Sequence, residues 1–368
     1  MTTNAELLNK LLPDKDLFSS DIFSLLSLKD LNREVIYKTK LLKELLKKIK
    51  KELDAFDQSR HKLKGKKELV DKTISTYQAE IDSSFFFIWN IIHLLPSEQM
   101  VIYQAYFQQQ LHALFDGSPY NKRLFDKPLG YPDDYQMLLY VSDNHYLGKS
   151  TYDKFIHQYS MLIPLNASKR NRKEFFKTLI TSTVIKNPKA EITCLDGGPS
   201  VDILELLKES DALTNVNLTC LNSEPAALAY VKKQLKTSRR LQKKENKFLK
   251  LSDYNLSDVV QNDNLKLIIE KQDLIYSGCL LDYFDDRMAK KIILILVERL
   301  KPNGVLVLGS INKGNKHKAY SELLGGMYIH YRDNLSLMKL TDKLPSVTNI
   351  SILFSEMNDL NIFLKIIK

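Results

Sequence analysis

The chain lacks any apolar run near the roughly 20 residues that a membrane-crossing helix needs. Its start, MTTNAELLNKLLPDKD, lacks the basic-then-apolar order of a secretory signal. These two absences set the expectation of a cytoplasmic protein that meets membranes at most peripherally, with export by a route leaving no N-terminal mark as the alternative. Cysteine is scarce. Cys194, Cys220 and Cys279 are odd in number and too far apart for a metal-binding pair, which argues against a disulfide framework and for reduced, buried thiols. A nicotinamide-type GxGxxG, a phosphate loop and an HExxH zinc motif are all missing. The seven histidines follow no ligand spacing, so no metal is expected. Internal repeats and low-complexity tracts are also absent.

What is present is ordinary for a globular protein: 44% hydrophobic and 27% charged residues over 368 positions, enough for two domains or one with a large extension. The net charge of +10 points to nucleic acid, anionic lipid or an acidic partner, although the charge is unevenly spread. From Asp30 to Lys67, Leu and Ile recur at helical spacing between lysines, which predicts one long amphipathic helix with a solvated basic face. A membrane-surface or partner-docking role is the sharper reading of that face. Helical patterns continue to a stop near Pro96, so residues 1–110 read as a helical domain or cap. Residues 111–185 read as a linking segment, with turn-formers among aromatics and then a helix from Thr151 to Thr183. From Glu191 onward, β-type runs alternate with helical ones, the pattern of a parallel α/β sheet over residues 186–368. The runs NISILFSEM and LNIFLKIIK close the chain as an antiparallel hairpin.

Chemistry is expected at the carboxyl ends of these strands, where doubly wound sheets bind ligands. The first strand leads into Asp196, Gly197, Gly198 and Pro199, where glycines let backbone approach a cofactor. Glu224, just past the second strand, is placed to accept hydrogen bonds from ribose hydroxyls; a carboxylate capping the helix that Pro225 opens is the alternative. Asp253, after the third strand, is placed either to meet an adenine amino group or to cap a helix. Gly278, Cys279, Leu280, Leu281, Asp282 and Tyr283 follow the fourth strand and should line the face toward an acceptor. Pro302-Asn303-Gly304 reads as the turn into the fifth strand. The fourth strand does not end in an Asn-Pro-Pro-Tyr-like stretch, which disfavours an enzyme acting on nucleobase amino groups.

Lys127 to Met137 reads KPLGYPDDYQM, and further marks are Asn171-Arg172, Gly198-Pro199 with Asp202, DLIYSGCLLDY at Asp273 to Tyr283, Asn312, Tyr331-Arg332 and the closing LNIFLKI. On these motifs the chain from Leu111 to its C-terminus resembles the bacterial methyltransferases of the extracellular-factor, 3-hydroxypalmitic acid methyl ester biosynthesis family, whose corresponding segment reads KPLGYAGDYEM. The resemblance implies a class I, Rossmann-like methyltransferase fold: a mostly parallel sheet with a C-terminal antiparallel hairpin, preceded by an all-helical region. It implies S-adenosylmethionine as cofactor, and methyl transfer to the carboxylate of a small, fatty-acid-like acceptor, giving an ester used in quorum sensing. Asp196, Gly197, Gly198, Pro199, Glu224, Asp253 and Gly278 would then border the cofactor. Arg332, with Tyr331, would hold the acceptor carboxylate in its guanidinium fork, unless it serves a structural ion pair. Asp282 and Tyr283 would shape the acceptor face, and Tyr131 and Tyr135 would cover it as part of a lid. Two departures stand out. Asp196-Gly197-Gly198-Pro199 replaces Gly-Cys-Gly-Pro, so a carboxylate either repels the cofactor's carboxylate or attracts its amino group. Pro132-Asp133-Asp134-Tyr135 replaces Ala-Gly-Asp-Tyr in the lid. A nucleic-acid or protein methyltransferase, and a methyltransferase-like binding protein without turnover, are the alternative readings. Oligomeric state is not legible in the sequence.

Overall fold

A computed structural model of the chain describes residues 31–59, 65–143, 146–209, 213, 215–238, 249–254, 269–315, 318–345, 349–354 and 360–368. These fall into two compact units, one drawn from residues 1–133, 143–163 and 316–328 and the other from 134–142, 164–315 and 329–368. Among the described residues no helix is long and apolar enough to cross a membrane.

The first unit is helical. In α1 (Arg33–Gln58), Val35, Thr39, Leu42, Leu46, Ile49 and Leu53 are buried, a stripe spaced by three and four that turns the lysines outward. Asn32 caps it, its side-chain oxygen accepting from the Glu34 N–H at 2.8 Å. The single helix expected from Asp30 to Lys67 is instead two. At the end of α1 the Ser59 N–H and hydroxyl both donate to the Phe56 carbonyl, and α2 (Lys66–Ile92) opens on Gly65 at φ +97, a conformation that only glycine adopts cheaply. Asp30 and residues 60–64 lie outside the described residues. α3 (Ser97–Phe115) and α4 (Pro119–Asp126) follow. α5 (Tyr135–Asp143) belongs mostly to the second unit, and α6 (Thr151–Leu162) returns to the first. Phe85 of α2 and Phe115 of α3 pack on Tyr320 with ring centroids 5.3 and 5.9 Å away. Tyr320 opens a wide helical turn, Tyr320–Leu324.

The helix expected over Thr151 to Thr183 is also broken, into α6 and α7 (Pro164–Lys186). Pro164 has no N–H to give and drives Ile163 out of the helical region, to φ −57 and ψ 142. The units change hands at this break.

The second unit is a seven-stranded sheet. It contains β1 (Glu191–Leu195), α8 (Val201–Glu209), β2 (Asn217–Asn222), α9 (Pro225–Thr237), β3 (Leu249–Asp253), β4 (Gln272–Ser277), α10 (Asp286–Glu298), β5 (Leu300–Ile311), α11 (Asn334–Lys339), β6 (Asn349–Phe354) and β7 (Asn361–Ile367). The strand order is β3-β2-β1-β4-β5-β7-β6. β1 to β5 pair in parallel, and β7 runs antiparallel between β5 and β6. The mostly parallel sheet with its terminal antiparallel hairpin, preceded in the chain by helices, is the architecture expected from the sequence. Side chains alternate across it. Leu274, Tyr276 and Phe363 join Phe176, Ile180 and Val184 of α7 on one face, whereas Ile275, Ile362 and Leu364 join Ile292, Ile293 and Leu296 of α10 on the other. Pro302-Asn303-Gly304 is not a turn before β5 but a bulge within it. Pairing jumps from Gln272↔Leu300 to Leu274↔Val305, and Asn303, at φ +64, donates its N–H to the Lys368 carbonyl.

Candidate cofactor and acceptor site

The direction of strand order reverses between β1 and β4, the switch point beside which doubly wound sheets bind ligands at their carboxyl edge. The loop from β1 to α8 is tight: Asp196, Gly198 and Ser200 all have positive φ, at +46, +54 and +47. Gly198 is required twice over, since a Cβ there would also collide with a methyl group of Leu138 on α5. The Asp196 carboxylate is fully engaged by protein. One oxygen accepts from the Ser223 N–H at 2.8 Å and its hydroxyl at 2.9 Å, the other from the Tyr254 hydroxyl at 2.6 Å. The Asp196 carboxylate therefore ties together the loops after β1, β2 and β3. Burial, and then the charge of Asp196, push the Tyr254 phenol pKa well up, so Tyr254 keeps its proton and remains a donor.

Asn222, at the end of β2, went unmarked in the sequence, yet it sets this edge. Its amide donates to the Gly198 carbonyl at 2.9 Å, and its oxygen accepts from the Glu224 N–H at 2.8 Å. The signal for it was a polar side chain closing an otherwise buried strand. Glu224 occupies the cap position of α9 but makes no capping bond with its side chain. Its carboxylate instead accepts from the Tyr135 N–H at the start of α5, at 3.2 and 3.3 Å. Asp253 closes β3 opposite Asn222, with its side chain exposed. Residues 255–268, on which its helix-capping alternative rests, lie outside the described residues.

The fourth strand leads to Gly278, Cys279 and a short helical turn, Leu280–Tyr283. Gly278 lies close under Phe176 of α7, and its carbonyl stands 2.5 Å from where a Cβ on Gly309 would fall. Asp282 is buried and its carboxylate bonded on both sides. Arg172 donates to one oxygen from two nitrogens, at 3.0 and 3.1 Å, and the Ile311 N–H donates to the other at 2.9 Å. Arg172 also donates to the side-chain oxygen of Asn361 at 2.7 Å, and Asn361 in turn donates to the Ser168 carbonyl. Arg332 is 2% exposed. Its guanidinium donates to the carbonyls of Leu281 and Phe284 and pairs with Asp286 at 3.0 Å. Tyr331 is half-buried, and Tyr283 is exposed beside Asp282.

His330, one of the scattered histidines, donates its main-chain N–H to the Asp282 carbonyl at 2.7 Å. Burial first, then the charge of Arg332, lower its pKa from the ordinary histidine value, so the ring is uncharged at neutral pH. Asp202, below the glycine loop, accepts from the Tyr276 hydroxyl at 2.7 Å, and burial raises its pKa. Among the described residues no cluster of three or more side chains is arranged to hold a metal ion.

No family model and no curated protein matches the chain. Among solved structures it is similar to a possible exported protein from Bordetella parapertussis, at 11% identity over 73% of this chain and 86% of that one, with a TM-score of 0.47. It is also similar to a putative methyltransferase from Thermobifida fusca, at 11% identity, 62% and 93% coverage and a TM-score of 0.43. A third is magnesium protoporphyrin IX methyltransferase from Synechocystis with bound SAH, at 10% identity, 56% and 88% coverage and a TM-score of 0.42. What the site can do follows from its own residues.

Proposed function

We propose that this chain is an S-adenosylmethionine-dependent methyltransferase that esterifies the carboxylate of a small acceptor such as a 3-hydroxy fatty acid. The observation that carries the reading is the carboxylate of Glu224, placed just past β2 at the carboxyl edge of the parallel strands and not capping its own helix. Its position just past the second strand is where a carboxylate meets a ribose diol in doubly wound sheets. Asp253, exposed at the end of β3, suits an exocyclic amino group. The backbone of Gly197, Gly198, Pro199 and Gly278 would border the amino-acid end. Asp196, bonded to Ser223 and Tyr254, orders that loop. When bound, the cofactor supplies an electrophilic methyl group on a sulfonium.

The chain's own work is then to position groups and exclude water, because a carboxylate is already nucleophilic at neutral pH. Arg332 acts as a positioning residue: its fork fixes the carbonyls of Leu281 and Phe284 and so the turn after β4. Asp282 positions the same turn through Arg172. Tyr283 and Tyr331 border the acceptor in this reading.

A binding protein without turnover is the second reading, favoured by the packing of Leu138 on Gly198 and the commitment of Asp196. Calorimetric titration with S-adenosylmethionine and S-adenosylhomocysteine tests the first. Saturable binding that Glu224→Ala weakens at least about tenfold, equal to the roughly 1.4 kcal/mol expected of a hydrogen bond to a charged group, is the expected result. Absence of binding at millimolar ligand sinks the enzyme reading. Binding without methyl transfer to 3-hydroxy fatty acids leaves the second reading standing.

A further inference from the structure

α5 is a short insertion in the sheet unit: residues 134–142 belong to that unit, whereas 1–133 and 143–163 on either side belong to the helical one. Asp134 caps its first turn, the carboxylate accepting from the Gln136 and Met137 N–H groups at 3.0 and 3.2 Å. The Tyr135 N–H lies outside that cap and donates to Glu224, 3.2 Å from one carboxylate oxygen and 3.3 Å from the other. A donor nearly equidistant from both oxygens lies on the bisector of the carboxylate, the side from which a diol donates one hydroxyl to each oxygen. Both distances are at the long end of the hydrogen-bond range, so the bond is a weak one. Three residues on, a methyl group of Leu138 lies 2.4 Å from where a Cβ on Gly198 would stand, filling the bare side of that glycine. The Tyr135 ring rests near Tyr230 of α9, with centroids 6.0 Å apart. In the approach to α5, Lys127, Gly130 and Asp133 take left-handed φ of +42, +89 and +70. Among the described residues nothing lies within 4 Å of where a Cβ on Gly130 would stand, so the backbone there has room to absorb a change of path.

We infer that α5 is an autoinhibitory strap: in the free chain its first turn occupies the places where the cofactor would meet Glu224 and Gly198, and it withdraws for the cofactor to enter. This role rests on the reading of the sheet's carboxyl edge as a cofactor site and adds how that site is controlled. Withdrawal breaks one weak hydrogen bond, but it also uncovers apolar surface, because Met137, Leu139 and Val141 are buried beside the half-buried Leu138. The closed form is therefore favoured in the free chain. The apparent affinity for cofactor is then the intrinsic affinity reduced by the fraction of chains whose strap is withdrawn. The contact of Leu138 with Gly198, which on its own favours a protein without turnover, becomes in this scheme the off position of an enzyme.

The test titrates the full chain with S-adenosylhomocysteine by calorimetry and reads association and dissociation rates by surface plasmon resonance, for wild type, Tyr135→Pro and Leu138→Ala. Proline is tolerated at a first helical position, whose N–H has no intrahelical partner, so Tyr135→Pro removes the donor and keeps the helix. Leu138→Ala removes the side chain that fills Gly198. Each variant should bind at least about tenfold more tightly than wild type, with the gain in the association rate and little change in dissociation. In wild type, hydrogen exchange over residues 138–142 should quicken when the ligand is added. Three outcomes overturn the strap: equal affinity in the three proteins, weaker binding with faster dissociation in the variants, or slower exchange over residues 138–142 on ligand addition. The last two would mean that α5 closes on the cofactor instead of standing in its place. Binding to none of the three proteins overturns the cofactor reading and the strap together, which separates the two failures.

Discussion

At the scale of single residues, the site is defined by where charged groups spend their hydrogen bonds. Arg172 and Asp282 form a buried pair that also reaches Asn361 and the Ile311 N–H. Removing one partner leaves the other charge buried and unpaired. Asp282→Ala should therefore destabilise the protein by about 3–5 kcal/mol in urea unfolding, whereas the double replacement Arg172→Met with Asp282→Leu should cost clearly less. Equal losses in the two would mean that the pair itself, rather than an uncompensated charge, sets the energy. The sequence marks Asp282 and Arg332 as functional, and both lie at the expected edge. It does not disclose that Asp282 is held by Arg172 and the Ile311 N–H, or that the Arg332 head is turned onto neighbouring main chain, because a guanidinium carries the same letter whether it grips a ligand or a carbonyl. Asn222 and His330 escape notice for the complementary reason: neither sits in a spacing that requires a partner, and their importance comes from residues far along the chain.

Elements were more legible than contacts. β1 to β5 and the closing hairpin announce themselves because burial on a pleated sheet writes a local pattern of short apolar runs. The two overlong helix readings failed at single residues: Gly65 permits a left-handed start, and Pro164 forbids continuation. The placement of α5 is not readable at all. Its first N–H meets Glu224 across 89 positions of sequence, and its Leu138 closes on Gly198. That packing yields a prediction. Gly198→Ala should destabilise by roughly 1–3 kcal/mol, combining a left-handed backbone penalty with a collision. Adding Leu138→Ala should recover the collision part in a double-mutant cycle. Strict additivity of the two substitutions in thermal unfolding would show that α5 does not rest on the glycine loop.

At the scale of the whole molecule, the chain visits its helical unit three times, through residues 1–133, 143–163 and 316–328. Sequence reading cuts a chain at linear boundaries, so it assigned residues 143–163 to a linking segment and gave the stretch at 316–328 to the sheet's neighbourhood. What survived such cutting was the sheet, whose strands all lie between Glu191 and Ile367.

Cys194 and Cys220 face each other in register on the adjacent strands β1 and β2. Both are buried and unlinked, and burial pushes the Cys220 thiol up to about 12 and the Cys194 thiol well above its ordinary value. Neither offers a thiolate to an alkylating reagent while the strands stay together. Cys279, half-buried where the chain leaves β4, is the accessible thiol. The protein thus carries its own clock. Iodoacetamide labelling followed by mass spectrometry should mark Cys279 first, and then Cys194 and Cys220 at one shared rate, the rate at which β1 and β2 part. Separate rates for those two would reveal a sheet that opens strand by strand.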